Sequence, residues 1–290
     1  MVANTLEIIE VELLRTENGI YTFRKDKDNF IKFSPERGGI ITNWFSNNCQ
    51  ILYFDEKRFL NTTKSIRGGI PVLFPICGNL DKCFSFGKNY KTLMQHGFAR
   101  NLNWNFSLNK IKNSLCLSLK DNNITRQYYP YSFEIEINYF LEIESLSVEI
   151  NVLNKSPYEM PINFGLHPYF NISDYKNIKF VERSNTCQNQ LNNSLEQTDD
   201  LLKNLQNGID LLMYTSGRTS FKDFGFNRKI SLINPAPFDI CVLWTDPPRK
   251  MICMEPWTSP RNSFATGIKK IDIPANSSQQ LSASIKIDHF

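Results

Sequence analysis

The feature that most constrains this chain is an alternation of apolar and polar residues, with a period of two, that recurs along its length. Between Ser132 and Asn154, Phe133, Ile135, Ile137, Tyr139, Leu141 and Ile143 alternate largely with Glu134, Glu136, Asn138 and Glu142, and after Glu144-Ser145 the series resumes with Leu146, Val148, Ile150 and Val152. Successive side chains of a strand point to opposite faces, so this text predicts an antiparallel hairpin with one buried face. The same alternation recurs at Leu115, Leu117 and Leu119 and, near the C-terminus, at Leu281, Ala283, Ile285 and Ile287. Phe238 to Trp244 and Met251 to Glu255 are more continuously apolar, as strands covered on both sides should be. Helical text is scarce: Thr198 as N-cap, Leu201, Leu202 and Leu205, and Gly208 as a stop predict one short helix. With no fixed-period repeat and no Pro/Gly/Ser-rich seam, the pattern predicts an all-β protein, one large antiparallel domain over residues 1–290.

Composition removes several function classes. Thirty-three Lys and Arg against 29 Asp and Glu leave a surplus of +4, and the basic residues are scattered. Even Phe23-Arg24-Lys25-Asp26-Lys27-Asp28 interleaves both signs, so neither a nucleic-acid nor a membrane surface is indicated. The seven cysteines form no CxxC pair, which argues against a disulfide framework or structural zinc and for buried or semi-buried thiols in a reducing compartment. Met1 to Glu10 lacks the basic and apolar blocks of a secretion signal, and no stretch has the length of a transmembrane helix, so the expected location is cytoplasmic.

Chemistry-bearing residues cluster in a few short motifs. His96 lies in Gln95-His96-Gly97-Phe98-Ala99-Arg100, where an amide, an imidazole and a guanidinium could converge on hydroxyls or an anion. Arg67 precedes Gly68-Gly69 and a rigid Ile70-Pro71-Val72-Leu73-Phe74-Pro75 run, which would deliver its side chain at a defined point. His167 precedes Pro168 and Glu255 precedes Pro256. Proline restricts the residue before it and removes a ladder donor, so both sites are expected at a strand end, edge or bulge. Glu255 and Trp257 would share one strand face, a carboxylate beside an aromatic plane that suits a sugar. Taken singly, each motif is also open to a structural reading: a tight turn, a hydrogen-bonded histidine, a strand-end glutamate.

Rival chemistries lack their patterns. Neither HxH nor HExxH is present, so no metal ligands are expected, and GxSxG, GxGxxG and the P-loop are absent. The third histidine, His289, is next to the C-terminus and is expected to be exposed and uninvolved.

The ordered set RGGIPVLFP, QHGFAR, GLHPYF and CMEPW resembles the aldose 1-epimerase (galactose mutarotase-like) family over most of the chain, nearest the hexose-6-phosphate mutarotase branch. The resemblance implies a large β-sandwich (the galactose mutarotase-like supersandwich), no cofactor, and interconversion of the anomers of a sugar or sugar phosphate. It implies His167 as general acid, Glu255 as general base and His96 as their partner near the ring. Asp210 matches a hydroxyl-binding aspartate, and Arg67 and Arg100, with Gln95 nearby, match phosphate-holding positions. The proximity of Glu255 and His167 would favour the charged state of both. Two departures stand out: Pro168 replaces the Thr or Ser that commonly follows the second histidine in that branch, and Thr258-Ser259-Pro260-Arg261-Asn262 follows the last motif. The rival reading is a catalytically silent carbohydrate-binding or sugar-sensing sandwich, which would keep Trp257 and the arginines without needing both His167 and Glu255.

Overall fold

The alternating text folds where its period places it. Phe133–Leu141 and Ser145–Asn154 are antiparallel strands in register from Phe133 opposite Asn154 to Leu141 opposite Leu146. Ile135, Ile137, Ile150 and Val152 on their inner face are wholly buried. Each such side chain contributes about 1.5–3 kcal/mol over an exposed one. The computed structural model describes residues 16, 18–81, 84–109 and 111–290, so the N-terminal expectation for Met1 to Glu10 lies outside the described residues.

Two eight-stranded sheets make up most of the architecture. The hairpin lies in one of them, between Ser114–Lys120 and the long strand Ser278–His289. Strands of the other sheet are numbered here in chain order: β1 (Val72–Leu73), β2 (Gly165–Leu166), β3 (Tyr169–Asn171), β4 (Thr186–Asn189), β5 (Ser194–Gln197), β6 (Asp210–Tyr214), β7 (Ile240–Trp244) and β8 (Met251–Trp257). Their order is β5-β4-β6-β7-β8-β2-β1, with β3 continuing the line of β2 against β8. A four-stranded meander from Tyr21–Arg24 to Cys49–Gln50 and a pair formed by Met160–Ile162 and Ile271–Ile273 complete the β-structure of the described residues. The main apolar cluster joins residues of both large sheets, with Leu211, Leu243 and Met254 from one and Ile137, Ile150 and Ile285 from the other.

Three sequence expectations need correction. The short helix is Thr198–Leu202, with Gln197 rather than Thr198 at the cap position. Thr198 follows β5 directly, and its amide donates to the Asn185 carbonyl (2.9 Å), which buries its hydroxyl away from the helix amides. The six described cysteines are free thiols, but Cys49 is exposed. Glu255 and Pro256 lie inside β8, a central strand, instead of at a strand end, edge or bulge. His289 is exposed, as expected. Among the described residues no helix is long and apolar enough to cross a membrane.

Candidate active site

The site grows from the second face of the β6-β7-β8 sheet. Leu211, Met213, Cys241, Leu243, Ile252 and Met254 point into the main cluster. Residues one step away point to the opposite face and form three rows. Asp210, Trp244, Cys253 and Tyr169 make one row; Leu212, Val242 and Glu255 the next; Tyr214, Ile240, Trp257 and Gly165 the third. His167 falls midway between the Gly165–Trp257 and Tyr169–Cys253 pairs, which puts it directly across from Glu255. Its Nε2 lies 3.3 Å from Glu255 Oε1.

The two prolines explain how a central strand tolerates this arrangement. The His167 amide donates away from β8, to Pro71 O (3.0 Å), so alternation turns the backbone of Leu166 and Pro168 toward β8. Pro168 and Pro256 have no amide hydrogen, so the ladder loses donors on both sides of the His167–Glu255 pair. β2 and β3 are accordingly separate strands with His167 in the gap, which matches the strand-end expectation for His167. Pro256 is admitted to the interior because its missing donor faces that gap.

All eight residues expected from sequence line one cavity of about 150 Å³. It adjoins a groove of about 890 Å³ through shared walls at Ser65, Gln95, Arg100, His167 and Tyr169. The groove falls within the range of small-molecule sites, about 300–1,000 Å³. His96 adopts a left-handed backbone (φ 64°), and its Nδ1 accepts from the Gly78 amide at 3.0 Å. A neutral His96 therefore carries its proton on Nε2 and acts as a donor. Gly68 and Gly69, at φ 127° and 70°, make the sharp turn after Arg67. The Arg67 guanidinium pairs with Asp246 (3.3 Å), donates to Ser65 Oγ (3.1 Å) and lies over the Trp244 ring at 5.3 Å. Arg100 donates to the Gln95 carbonyl (2.8 Å) and, among the described residues, has no carboxylate partner. Asp210 Oδ2 accepts from Arg261 Nη2 (2.6 Å), and its Oδ1 accepts from Gln190 Nε2 (2.8 Å).

Trp257 has a role its sequence context did not specify. It is 1% exposed and donates from Nε1 to Glu255 Oε2 at 3.0 Å, orienting the carboxylate more than offering a stacking surface. His167, by contrast, is held by packing: its ring stacks on Tyr169 at 4.6 Å, and its buried Nδ1 has no partner among the described residues.

Electrostatics reverse one expectation. Burial, with the Asp210 carboxylate next, raises the Glu255 carboxyl well above its usual range, outweighing the Trp257 hydrogen bond and the Arg261 and Arg100 charges. Burial, followed by the Arg100 and Arg67 charges, pushes His167 down to about 3. Desolvation therefore beats mutual attraction, and the pair rests neutral, with its proton on the carboxyl. His96 is lowered too, by burial and then by His167 and the arginines, which keeps it a neutral donor.

Sequence reasoning missed several polar and aromatic residues of the site. Trp244, Tyr169 and Arg261 line the cavity, and Asp246 holds Arg67. Tyr169 and Trp244 were legible only as alternate residues of apolar strands. Arg261 stood among polar loop residues with no local signal that it turns inward.

Comparisons with known proteins identify the family. The sequence profile of the Aldose 1-epimerase family matches residues 21–286. Slr1438 from Synechocystis sp. PCC 6803 is 32% identical, with a TM-score of 0.87 over 93% of this chain and 96% of its own. A galactose mutarotase related enzyme from Lactobacillus acidophilus is 23% identical with a TM-score of 0.73 over 93% and 97%, a likeness of fold. A relative from Cenchrus ciliaris, named as a candidate glucose-6-phosphate 1-epimerase, is 29% identical over 49% of this chain and 44% of its own length. The match thus spans less than half of that relative.

Proposed function

Because the chain belongs to the aldose 1-epimerase family, we propose that it interconverts the α and β anomers of an aldose, with Glu255 and His167 as its acid–base pair. The observation that carries this reading is the 3.3 Å separation of His167 Nε2 and Glu255 Oε1 across adjacent strands, at the wall of a polar cavity. The anomeric hydroxyl and the ring oxygen are both bonded to C1, so one compact pair can serve both. Glu255 takes the proton of the C1 hydroxyl, His167 delivers a proton to the ring oxygen, and the C1–O bond of the ring breaks to give the open-chain aldehyde. Rotation about C1–C2 and reversal of the transfers close the other anomer.

The pair needs one proton in total, and the resting neutral pair holds one. Ring opening starts from the carboxylate and imidazolium and ends with the carboxylic acid and neutral imidazole. That end state is the one burial favours, so the same desolvation that disfavours the ion pair assists its discharge. His96, a neutral donor whose ring lies 5.7 Å from that of His167, can hydrogen-bond a sugar oxygen without adding charge.

An anionic substituent on the sugar fits this wall at Arg100. Arg261 is paired with Asp210 and Arg67 shares Asp246 with Arg249, whereas Arg100, among the described residues, has only a carbonyl partner and borders both cavity and groove. The name carried by the Cenchrus ciliaris relative supports a hexose 6-phosphate as one such substrate. The test is anomer-exchange NMR of glucose and glucose 6-phosphate with purified protein and with Glu255→Gln. Accelerated exchange that the substitution removes is expected; wild-type-like exchange in the variant would sink the assignment.

A further inference from the structure

We infer that Arg261, clamped by Asp210, is a sugar-hydroxyl-binding residue that sets which aldoses the cavity accepts. This deepens the aldose epimerase reading and rests on it. Arg261 follows β8 in the loop Thr258-Ser259-Pro260-Arg261-Asn262, and a second loop locks it in place. The Asn262 amide donates to the Asn79 carbonyl (2.9 Å), and Asn262 Oδ1 accepts from the Asp81 amide (2.8 Å). Between these anchors the Arg261 stem crosses Gly78, where any Cβ would collide with Arg261 Cγ. Gly78 sits at φ 70°, and its amide also orients His96, so one residue fixes two walls of the cavity.

The guanidinium is placed for a neutral partner. Among the described residues its hydrogen-bonded partner is Asp210, reached through Nη2, and its Nε is buried without one. Asp210 is held in turn by Gln190 and retains spare acceptor capacity, since each carboxylate oxygen has two lone pairs. Guanidinium and carboxylate side by side make a donor–acceptor couple. A hydroxyl, which donates and accepts, satisfies both at once, whereas a phosphate would meet the Asp210 charge. The two arginines thus divide the work: Arg100 faces an anion, and Arg261 with Asp210 faces a ring hydroxyl.

The experiment compares wild type, Arg261→Met, Arg261→Lys and Gly78→Ala on glucose and its 2-, 3- and 4-deoxy analogues, by anomer-exchange NMR and by calorimetric binding. A hydrogen bond to a charged group is worth about 1.5–3 kcal/mol, so Arg261→Met should weaken glucose binding and raise its KM by about tenfold or more. The kcat should change much less. The loss should vanish for the one deoxy sugar that lacks the contacted hydroxyl, Arg261→Lys should restore part of it, and Gly78→Ala should show it together with a lower kcat, because its amide also orients His96. An equal loss on all four sugars, or no loss on glucose, overturns the assignment. Sugar binding with this selectivity but without exchange would overturn the epimerase reading and leave the hydroxyl contact standing.

Discussion

The two faces of the β6-β7-β8 sheet are built from the same strands one residue apart, and they follow opposite rules. On the core face, Leu243 and Met254 are apolar, fully buried and surrounded by the main cluster. On the other face, Glu255 and His167 are nearly as buried, yet they are ionisable and aimed into a cavity. The core face uses burial to stabilise the fold; the cavity face uses it to unsettle charge. A strand alternates faces with every residue, so the protein separates the two tasks at no cost in chain length.

The comparison would break most clearly at Glu255. General acid–base groups contribute about 10²–10⁴ in rate, so Glu255→Gln should lower anomer exchange by that factor while the thermal midpoint stays near wild type or rises. The adjacent residue should give the inverse result. Met254→Ala, one position away and facing the core, should cost about 2–5 kcal/mol in urea denaturation, with exchange per folded molecule little changed. A smaller effect tests the rim of the cavity: Arg100→Ala should raise KM for glucose 6-phosphate about tenfold and leave that for glucose nearly unaltered.

The subtlest test is the sign of the pH dependence. His167 is depressed to about 3 from 6.5, so as pH falls through that window the unfolded chain binds a proton the folded chain refuses. Its contribution to stability is intact above 6.5 and is lost toward 3. Glu255 is raised above 4.5, so its contribution is intact at low pH and is lost as pH climbs through its elevated folded value. Relative to wild type, His167→Asn should gain stability on acidification and Glu255→Gln on alkalinisation, read from urea midpoints at pH 5 and pH 8. Parallel trends in the two variants would show that the pair is not neutral at rest.

Much of this was legible in the amino-acid sequence. The alternation placed the hairpin strands and the C-terminal strand, and all eight residues drawn from separated motifs line one cavity. The failures have physical causes. Thr198 read as a cap because local propensity cannot foresee that β5 runs directly into the helix. Glu255 read as a residue of a strand end, edge or bulge because the proline rule assumes an intact neighbouring ladder, and the gap between β2 and β3 is visible only when both strands are in place. Arg261 carried no periodic signal, since its inward course depends on a loop some 180 residues earlier in the chain.

What the amino-acid sequence determined by itself was the set of strands, which of their faces are apolar, and the identity of the reactive side chains, because these follow from local periodicity and residue chemistry. Only the tertiary structure decided that His167 stands across from Glu255, that Trp257 holds the carboxylate, and that burial leaves the pair neutral. Those properties arise from register between distant strands and from the depth at which water is excluded, and both are sums over contacts that no local stretch of sequence contains.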